Sequence, residues 1–178
     1  ELAFAPGGQT LDLAGVDVIA RPAATTAGPV AIQHPLGYRL GERILLLGYD
    51  LEGKGALHPG ESLRLTLYWQ ASGPVERSYT VFVHLLGTAW NPAAGNLLWG
   101  QRDNLPVSGA YPTTVWAVGQ TVADAYQVPL QKDAPPGEYR VEIGLYDVAT
   151  GQRLPVYDQN GKHLGDHIIL AEIQVTTP

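Results

Sequence analysis

The chain of 178 residues contains neither cysteine nor methionine. Without cysteine it can form no disulfide, offer no thiolate nucleophile and bind no zinc through thiolates. A lack of cysteine is compatible with an exported protein but does not by itself establish export. Because translation starts at methionine, the first residue, Glu1, predicts a processed mature chain or a fragment of a longer protein. No signal peptide remains in it to identify the compartment.

Charged residues and long apolar runs are both scarce. Charged side chains make up 16% of the chain, below the roughly 25% of an average soluble protein. The 11 Lys and Arg against 17 Asp and Glu give a net charge of −6, without any basic stripe. We therefore expect no nucleic-acid partner. No apolar run approaches the roughly 20 residues of a membrane helix, so we expect no membrane insertion by this chain.

Glycine and proline, in contrast, are abundant, with 21 and 14 residues. They form short clusters that supply the fixed or positive φ angles of turns, such as His58-Pro59-Gly60, Ser72-Gly73-Pro74 and Asn160-Gly161. No window of a dozen residues repeats apolar side chains at the 3.6-residue spacing of a helix. The composition therefore favours many turns between short strands.

Apolar and polar residues alternate along several segments, which is typical of half-buried strands. In Glu61–Ala71 the residues on one face are Leu63, Leu65, Leu67 and Trp69. Similar segments are Ser78–Leu86, Thr121–Leu130, Glu138–Val148 and His167–Thr176, the last with Ile169, Ala171, Ile173 and Val175 inward. Arg43–Leu51 contains a continuous apolar run and predicts a strand buried on both faces or one at a sheet crossover. The fold class is therefore all-β: a two-sheet antiparallel β-sandwich, immunoglobulin-like or jelly-roll-like, is favoured over a closed barrel.

The first 35 residues form an N-terminal extension, which we separate from a sandwich domain at 36–178. One strand is predicted here, Leu11–Ala20, in which Leu11, Leu13, Val16 and Val18 are the apolar positions. Its alternation slips at Ala14-Gly15, which suggests a β-bulge. The small residues and prolines of Arg21–Pro29 indicate a linker.

Residues 87–120 also break the alternation, and we interpret them as a long irregular loop with one short strand at Leu97–Arg102. Long loops in compact domains are often functional. The loop contains four aromatic residues, Trp90, Trp99, Tyr111 and Trp116. Exposed Trp and Tyr rings stack on sugars, so these four are candidates for polysaccharide binding. Alternatively, the rings cover the open edge of the sandwich. We expect Trp116 to be buried and Trp90, beside Asn91-Pro92, to be exposed.

Several ordered blocks of residues suggest a family. They are Gly41–Asp50, Pro59–Ala71, Tyr79–Leu86, Pro135–Arg140 and Gly144–Asp147. From Tyr38 onward the chain resembles the extracytoplasmic C-terminal β-sandwich domains of Chloroflexi-type membrane glycosyltransferase-like proteins. The resemblance implies a sandwich fold and an extracytoplasmic location, and it carries no established activity. The stretch Gly87–Trp99 and the N-terminal extension depart from the family pattern.

Residues able to carry catalysis or bind a metal are few. A catalytic His84 would need a nucleophile and an orienting carboxylate nearby, and no serine sits in a Gly-x-Ser-x-Gly elbow. We therefore interpret His84 as a hydrogen-bonded structural histidine on the less buried sheet face. His163 and His167 are four residues apart, but Gly165 between them disfavours the helix that chelation would need. We predict an exposed loop there, with no metal.

Four aspartates, Asp50, Asp103, Asp124 and Asp147, fall at strand ends beside turns. Such side chains usually accept hydrogen bonds from local backbone N–H groups. A carboxylate pair for glycoside hydrolysis and a calcium site are the functional alternatives, and no acidic cluster supports either one.

These observations favour a non-catalytic extracytoplasmic β-sandwich module with a cell-surface structural, accessory or self-assembly role and no cofactor. The strand Leu11–Ala20 would pair either with its own sheet or with another copy of the chain. The alternative is a carbohydrate-binding module that uses the aromatic residues of 87–120. A hydrolase is the third and most distant hypothesis.

Overall fold

The computed structural model describes residues 30–53 and 56–177, together with the backbone of residues 12–13, 16–17 and 25–26. The strands in these residues are β1 (Asp12–Leu13), β2 (Val16–Asp17), β3 (Thr25–Thr26), β4 (His34–Leu40), β5 (Ile44–Glu52), β6 (Ala56–Leu57), β7 (Ser62–Ala71), β8 (Thr80–Asn91), β9 (Asn96–Asn104), β10 (Thr121–Pro129), β11 (Gly137–Tyr146), β12 (Val156–Tyr157), β13 (His163–Gly165) and β14 (Ile168–Val175). Two short 3-10 helices, Val107–Gly109 and Thr113–Val115, lie between β9 and β10.

Two sheets make up the sandwich and confirm the predicted all-β class. The larger sheet has seven strands in the order β13-β12-β4-β5-β7-β10-β3, and the smaller has five in the order β6-β14-β11-β8-β9. The strands are mostly antiparallel, and β6 is parallel to β14. Consecutive strands β4 and β5, and β8 and β9, pair as hairpins, whereas the connections from β7 to β8, from β9 to β10 and from β10 to β11 cross between the two sheets.

The inward faces of the two sheets share one hydrophobic core. From β7 it takes Leu63, Leu65, Leu67 and Trp69, the four positions that the alternation predicts. The smaller sheet contributes a facing set from β8 and β11, namely Val81, Val83, Leu85, Tyr139, Val141, Ile143 and Leu145. Burial of one large apolar side chain is worth about 1.5–3 kcal/mol, so this shared core is the main source of stability.

The predicted alternation of β14 is wrong at its beginning. Ile168 is buried in the core, while Ile169 is 39% exposed and Ala171 is half-buried. The reason is a β-bulge, because the pairing with β11 steps from Ala171 to Ile169 and passes over Leu170. One extra residue reverses the direction of every following side chain. Ile173 and Val175, beyond the bulge, are buried as predicted.

The strand predicted to be buried on both faces, β5, lies between β4 and β7 inside the larger sheet. Ile44 and Leu46 are buried in the core, whereas Leu45 and Leu47 are only half-buried on the outer face. The prediction of burial on both faces is therefore wrong on the outer side, where Leu45 and Leu47 stay partly accessible to solvent.

The N-terminal extension differs from the predicted single strand. β1 and β2 pair with each other, Asp12 opposite Asp17 and Leu13 opposite Val16. Since β1 and β2 follow one another and pair antiparallel, the slip in alternation marks a hairpin and not the suggested bulge. Leu11 and Val18 lie outside the described residues.

The predicted linker also contains a strand. β3 pairs antiparallel with β10, Thr26 opposite Thr121 and Thr25 opposite Val122, and so forms one edge of the larger sheet. This pairing involves Thr25–Thr26 and not the predicted strand Leu11–Ala20, whose described residues Asp12–Leu13 and Val16–Asp17 pair with each other.

Residues 87–120 are less irregular than predicted. β8 continues to Asn91 and returns as β9 from Asn96, so the first half of this region is a hairpin. The apolar–polar alternation of this hairpin is hidden because the pairing of β8 with β9 shifts register twice between Leu85 and Asn91. The irregular part is therefore confined to residues 105–120.

Candidate functional site

Three of the four candidate aromatic residues belong to the core. Trp99, Tyr111 and Trp116 are 5%, 7% and 5% exposed. Their polar atoms are bonded internally, with Trp99 Nε1 donating to the Ala89 carbonyl at 2.9 Å and Trp116 Nε1 to the Tyr111 carbonyl at 2.9 Å. The prediction that these three residues stack on a sugar is therefore wrong, because rings without an exposed face cannot stack on a ligand. The burial expected for Trp116 is confirmed.

Trp90 is the exception, since 63% of it is exposed. It lies near the end of β8, one residue before the turn of the β8–β9 hairpin. The flanking residues Thr88, Ala89 and Pro92 are exposed as well. A large exposed indole is costly to leave in water and is typical of a contact surface. Sequence reasoning predicted this exposure correctly.

The turn beside Trp90 is held by a buried side chain, Asn91, which is 1% exposed. Its Oδ1 accepts hydrogen bonds from the backbone N–H groups of Ala93 at 3.0 Å and Ala94 at 3.3 Å. Its Nδ2 donates to the Leu98 carbonyl at 2.6 Å and to Gln131 Oε1 at 2.9 Å. With donors and acceptors both used, Asn91 fixes the turn and therefore the position of Trp90. An asparagine followed by proline is the sequence signal for such a turn.

The hairpin surface is electrically neutral. No charged residue occurs between Gly87 and Gln101. A cleft of about 270 Å³ lies along β9 and is lined by Ala94, Leu98, Gln101 and Gln131, with Gly100 and two residues of the β10 end. The lining of this cleft does not include Trp90, and its amide side chains suit a neutral ligand with hydroxyl groups, because amides both donate and accept hydrogen bonds. Sequence reasoning missed these glutamines, which carry no local motif.

A second cluster lies on the outer face of the smaller sheet, where His84 of β8 faces two carboxylates. His84 Nδ1 is 3.7 Å from Glu142 Oε1, and Nε2 is 3.3 Å from Asp103 Oδ1. The buried Nε2 contact is electrostatic and lacks the direction of a good hydrogen bond. Glu142 also pairs with Arg153 at 3.3 Å, and Arg153 lies 4.2 Å above the Phe82 ring.

The charged groups in this cluster shift one another's pKa. Burial alone would lower the pKa of His84, but the Asp103 and Glu142 carboxylates outweigh it and raise that pKa above its usual value. Burial alone would raise the pKa of Glu142, but His84, His167 and Arg153 hold it below its usual range. Among the described residues, the ring of His84 contacts these two carboxylates and Phe82. A carboxylate at each ring nitrogen is the arrangement expected of a structural histidine.

A buried carboxylate, Asp124, ties β10 to the loop at 105–110. Its Oδ1 accepts from the Val107 N–H at 2.8 Å, while Oδ2 accepts from Tyr126 at 2.7 Å and Trp69 Nε1 at 3.3 Å. Burial outweighs these hydrogen bonds and raises the pKa of Asp124 to about 6. Val107 and Ser108 have φ angles of 55° and 53°. A β-branched residue at positive φ is strained, and the Asp124 bond holds it there.

The other predicted candidates have local roles. Asp147 accepts from the Ala149 N–H at 2.9 Å, the local bond expected at a strand end, whereas Asp124 bonds distant residues and corrects that expectation. His163 and His167 are both exposed, and His167 Nδ1 lies 2.8 Å from Asp166. Across the described residues, no three His, Asp or Glu side chains are grouped so as to hold a metal ion.

Comparisons with known proteins give no family. No protein-family model matches the chain, and no curated protein matches it either. Among solved structures, the chain is similar to part of Pseudomonas fluorescens alkylpurine DNA glycosylase AlkC bound to DNA containing an abasic site analog. The similarity covers 80% of this chain and 31% of that chain, with 12% identity and a TM-score of 0.36. A likeness this weak carries no argument about fold or function.

One further property concerns membranes. Within the residues that the structure describes, no helix is long and apolar enough to cross a bilayer.

Proposed function

We propose that this chain is a non-catalytic, extracytoplasmic β-sandwich module with an accessory role, and that it holds polysaccharide against Trp90. The observation that carries the proposal is the 63% exposure of Trp90 on a hairpin whose turn Asn91 fixes. A positioned ring binds at a lower entropic cost than a mobile one. The neutral surface around it favours an uncharged sugar chain.

The charged cluster supports the non-catalytic part of the proposal. Each ring nitrogen of His84 faces a carboxylate, and Glu142 is further engaged by Arg153. A histidine that works as a base must reach a substrate proton or a nucleophile. Three clefts on the described surface, of about 570, 460 and 270 Å³, are lined by other residues.

The extracytoplasmic location is supported by composition and by the family resemblance. The chain lacks cysteine, which is compatible with export. The family that it resembles from Tyr38 onward is extracytoplasmic. Fractionation of the native organism, with antibody against the sandwich domain, would place the protein outside or inside the membrane and decide this part directly.

Retention on insoluble polysaccharide tests the main claim. The full chain, Trp90→Ala and Trp90→Phe are incubated with cellulose, chitin, xylan and mannan, and the bound fraction is measured. We expect at least one polysaccharide to retain the full chain, Trp90→Ala to lose roughly tenfold or more in affinity, and Trp90→Phe to keep part of it because a ring remains.

Val148 supplies the matched control, since it is 67% exposed at the opposite end of the sandwich. Val148→Ala should bind as the full chain does. Equal retention of Trp90→Ala and the full chain would contradict the proposal, as would failure of every polysaccharide to retain the full chain.

A structural role through self-assembly is the second candidate, and β3 provides its observation. The edge of β10 accepts Thr25–Thr26 as an added strand. A neighbouring copy could supply the same backbone hydrogen bonds, in which case the pairing within one chain and the pairing between chains would compete for that edge.

A further inference from the structure

Three segments of the chain form a second cleft, of about 570 Å³, at the end of the sandwich opposite the Trp90 hairpin. They are the β4–β5 turn at 39–44, the β7–β8 loop at 74–79 and the residues 154–157 that enter β12. We call it the arginine cleft, after Arg39, Arg43 and Arg77 in its lining. Its size lies in the range of about 300–1,000 Å³ that is usual for small-ligand sites.

Hydrogen bonds between the segments hold the walls of the arginine cleft in place. The Gly41 N–H donates to the Pro155 carbonyl at 2.8 Å, which ties the first segment to the third. The Ser72 N–H donates to the Arg43 carbonyl at 2.9 Å, and Arg43 Nη1 donates to the Pro74 carbonyl at 3.2 Å. Because these bonds link all three segments, the cleft is formed before any ligand arrives. The same bonds occupy backbone groups that an added peptide strand would need.

Two guanidinium groups are fixed at the cleft. Arg39 lies 4.2 Å over the Tyr157 ring and donates to the Gly41 carbonyl, and Arg43 is held by Pro74 as described above. Each guanidinium carries five N–H donors, so these anchoring bonds leave donors for a ligand. An arginine held on a ring and a carbonyl also loses little side-chain entropy on binding.

The charges around the cleft cancel. Arg77 is paired with Asp147, with 2.6 Å between Nη1 and Oδ2. The two remaining arginines of the lining are matched by two exposed carboxylates, Glu42 and Glu76. A cleft with both donors and acceptors and no excess charge suits a neutral ligand rich in hydroxyl groups, since carboxylates accept from hydroxyls and guanidinium groups donate to them.

The rest of the lining is apolar. Leu40 and Ile44 are buried beneath the cleft, and Val75 and Leu154 are half-buried at its sides. A pyranose ring has an apolar C–H face and a rim of hydroxyl groups, which matches an apolar surface bordered by charged donors and acceptors.

We propose that the arginine cleft binds a neutral pyranose residue of an oligosaccharide, as a second carbohydrate subsite. The choice of a sugar rests on the proposed function, whereas the cleft itself does not depend on Trp90. β8 begins beside the cleft and ends at the Trp90 hairpin, and its 12 residues span roughly 35–40 Å. One module with a sugar site at each end would hold two chains, or two distant parts of one chain.

Nuclear magnetic resonance of the ¹⁵N-labelled full chain tests this proposal. The probes are neutral gluco-, manno- and xylo-hexaose, with an anionic hexauronate as comparison. We expect at least one neutral hexaose to shift the amide signals of Gly41, Val75 and Leu154 with saturation. The proposal is overturned if no neutral hexaose shifts these signals, or if the hexauronate shifts them at a lower concentration.

Variants separate a binding role from a structural one. Arg43→Ala should weaken hexaose binding roughly tenfold or more, and Arg140→Ala, an exposed arginine on another surface, should not weaken it. Since Arg43 also bonds Pro74, Glu76→Gln gives a second change that keeps size and shape and should weaken binding about threefold or more by removing a charged acceptor. Unchanged binding in both cleft variants would overturn the proposal.

Trp90→Ala distinguishes the two sites. If it abolishes retention on polysaccharide and leaves the cleft signals responding to hexaose, both proposals stand. If it leaves retention unchanged while Arg43→Ala reduces it, the Trp90 proposal fails and the cleft proposal stands. If Trp90→Ala abolishes retention, Arg43→Ala leaves it unchanged and the cleft signals do not respond to hexaose, the cleft proposal alone is overturned.

Discussion

Two regions of strand β8 are built in opposite ways. In the middle of the strand, around His84, the outer face carries partly buried charges that pair with one another, with Asp103 and Glu142 facing the ring and Arg153 pairing with Glu142. Six residues later, Trp90 is exposed on a surface without charge. Titratable groups that neutralise each other stabilise the sheet, whereas an exposed ring has an unused contact face. On the outer face of this strand, the uncharged region around Trp90 is therefore a better candidate for ligand binding than the His84 cluster.

The largest change should come from removing the side chain that fixes the hairpin. Asn91→Ala breaks four hydrogen bonds in a buried position, so we expect a loss of about 2–4 kcal/mol in the free energy of unfolding. We also expect retention on polysaccharide to fall. Urea unfolding and the retention assay measure the two effects.

Asn96 is the matched control on the same hairpin. It is exposed and makes one local bond, with Oδ1 accepting from the Leu98 N–H at 2.8 Å. Asn96→Ala should cost less than about 1 kcal/mol. An Asn91→Ala protein as stable as Asn96→Ala would show that Asn91 does not hold the turn.

A pH-dependent effect of comparable size is expected at Asp124. Its pKa is raised from 3.8 to about 6, so the folded state binds this proton more tightly than the unfolded state. The proton therefore stabilises the fold below pH 4, and that stabilisation is lost as the pH rises through 6. Relative to Asp124→Asn, which does not titrate, the wild-type chain should lose about 2.5 kcal/mol between pH 4 and pH 7. A constant difference across this range would contradict the account of Asp124.

The His84 cluster should give a smaller effect. The pKa of His84 is raised, so its stabilising pairs are fully present below the unfolded-state value near 6.5 and are lost as the pH rises through the folded-state value. We expect His84→Gln to cost about 1–2 kcal/mol at pH 5.5, less at pH 9, and to leave retention on polysaccharide unchanged. If His84→Gln abolished retention on polysaccharide, the contrast between a structural His84 cluster and a ligand-binding Trp90 would be wrong.

The smallest effect is expected from deleting residues 1–28. The described residues of this segment contribute β3, a strand of two residues, to the edge of the larger sheet, so the sandwich should stay folded. If assembly runs through this edge, light scattering will show oligomers for the intact chain and monomers for the truncated one. If both remain monomeric, the self-assembly role is excluded.

The sequence predicted the sandwich because its strands bury one face. Leu63, Leu65, Leu67 and Trp69 alternate strictly, and all are in the core. Prediction failed where the alternation of inward and outward side chains changes phase. The bulge at Leu170 and the β1–β2 hairpin leave the composition unchanged, so local alternation alone does not reveal them.

The candidate site was only partly predictable. The exposure of Trp90 could be expected from the turn residues Asn91 and Pro92 that follow it. The burial of Trp99 could not, because its cover comes from residues distant in sequence, with its carbonyl bonded by the Gln131 N–H at 2.9 Å. The arginine cleft likewise combines three segments whose meeting depends on the order of strands in the sheets.

The most direct measurement is iodide quenching of tryptophan fluorescence with and without the polysaccharide that retains the chain. Trp90 is exposed while Trp69, Trp99 and Trp116 are buried, so Trp90 should give the quenchable part of the emission, and Trp90→Phe should lack it. The account predicts that bound polysaccharide protects this emission from iodide. Unchanged quenching on a polysaccharide that retains the chain would contradict it.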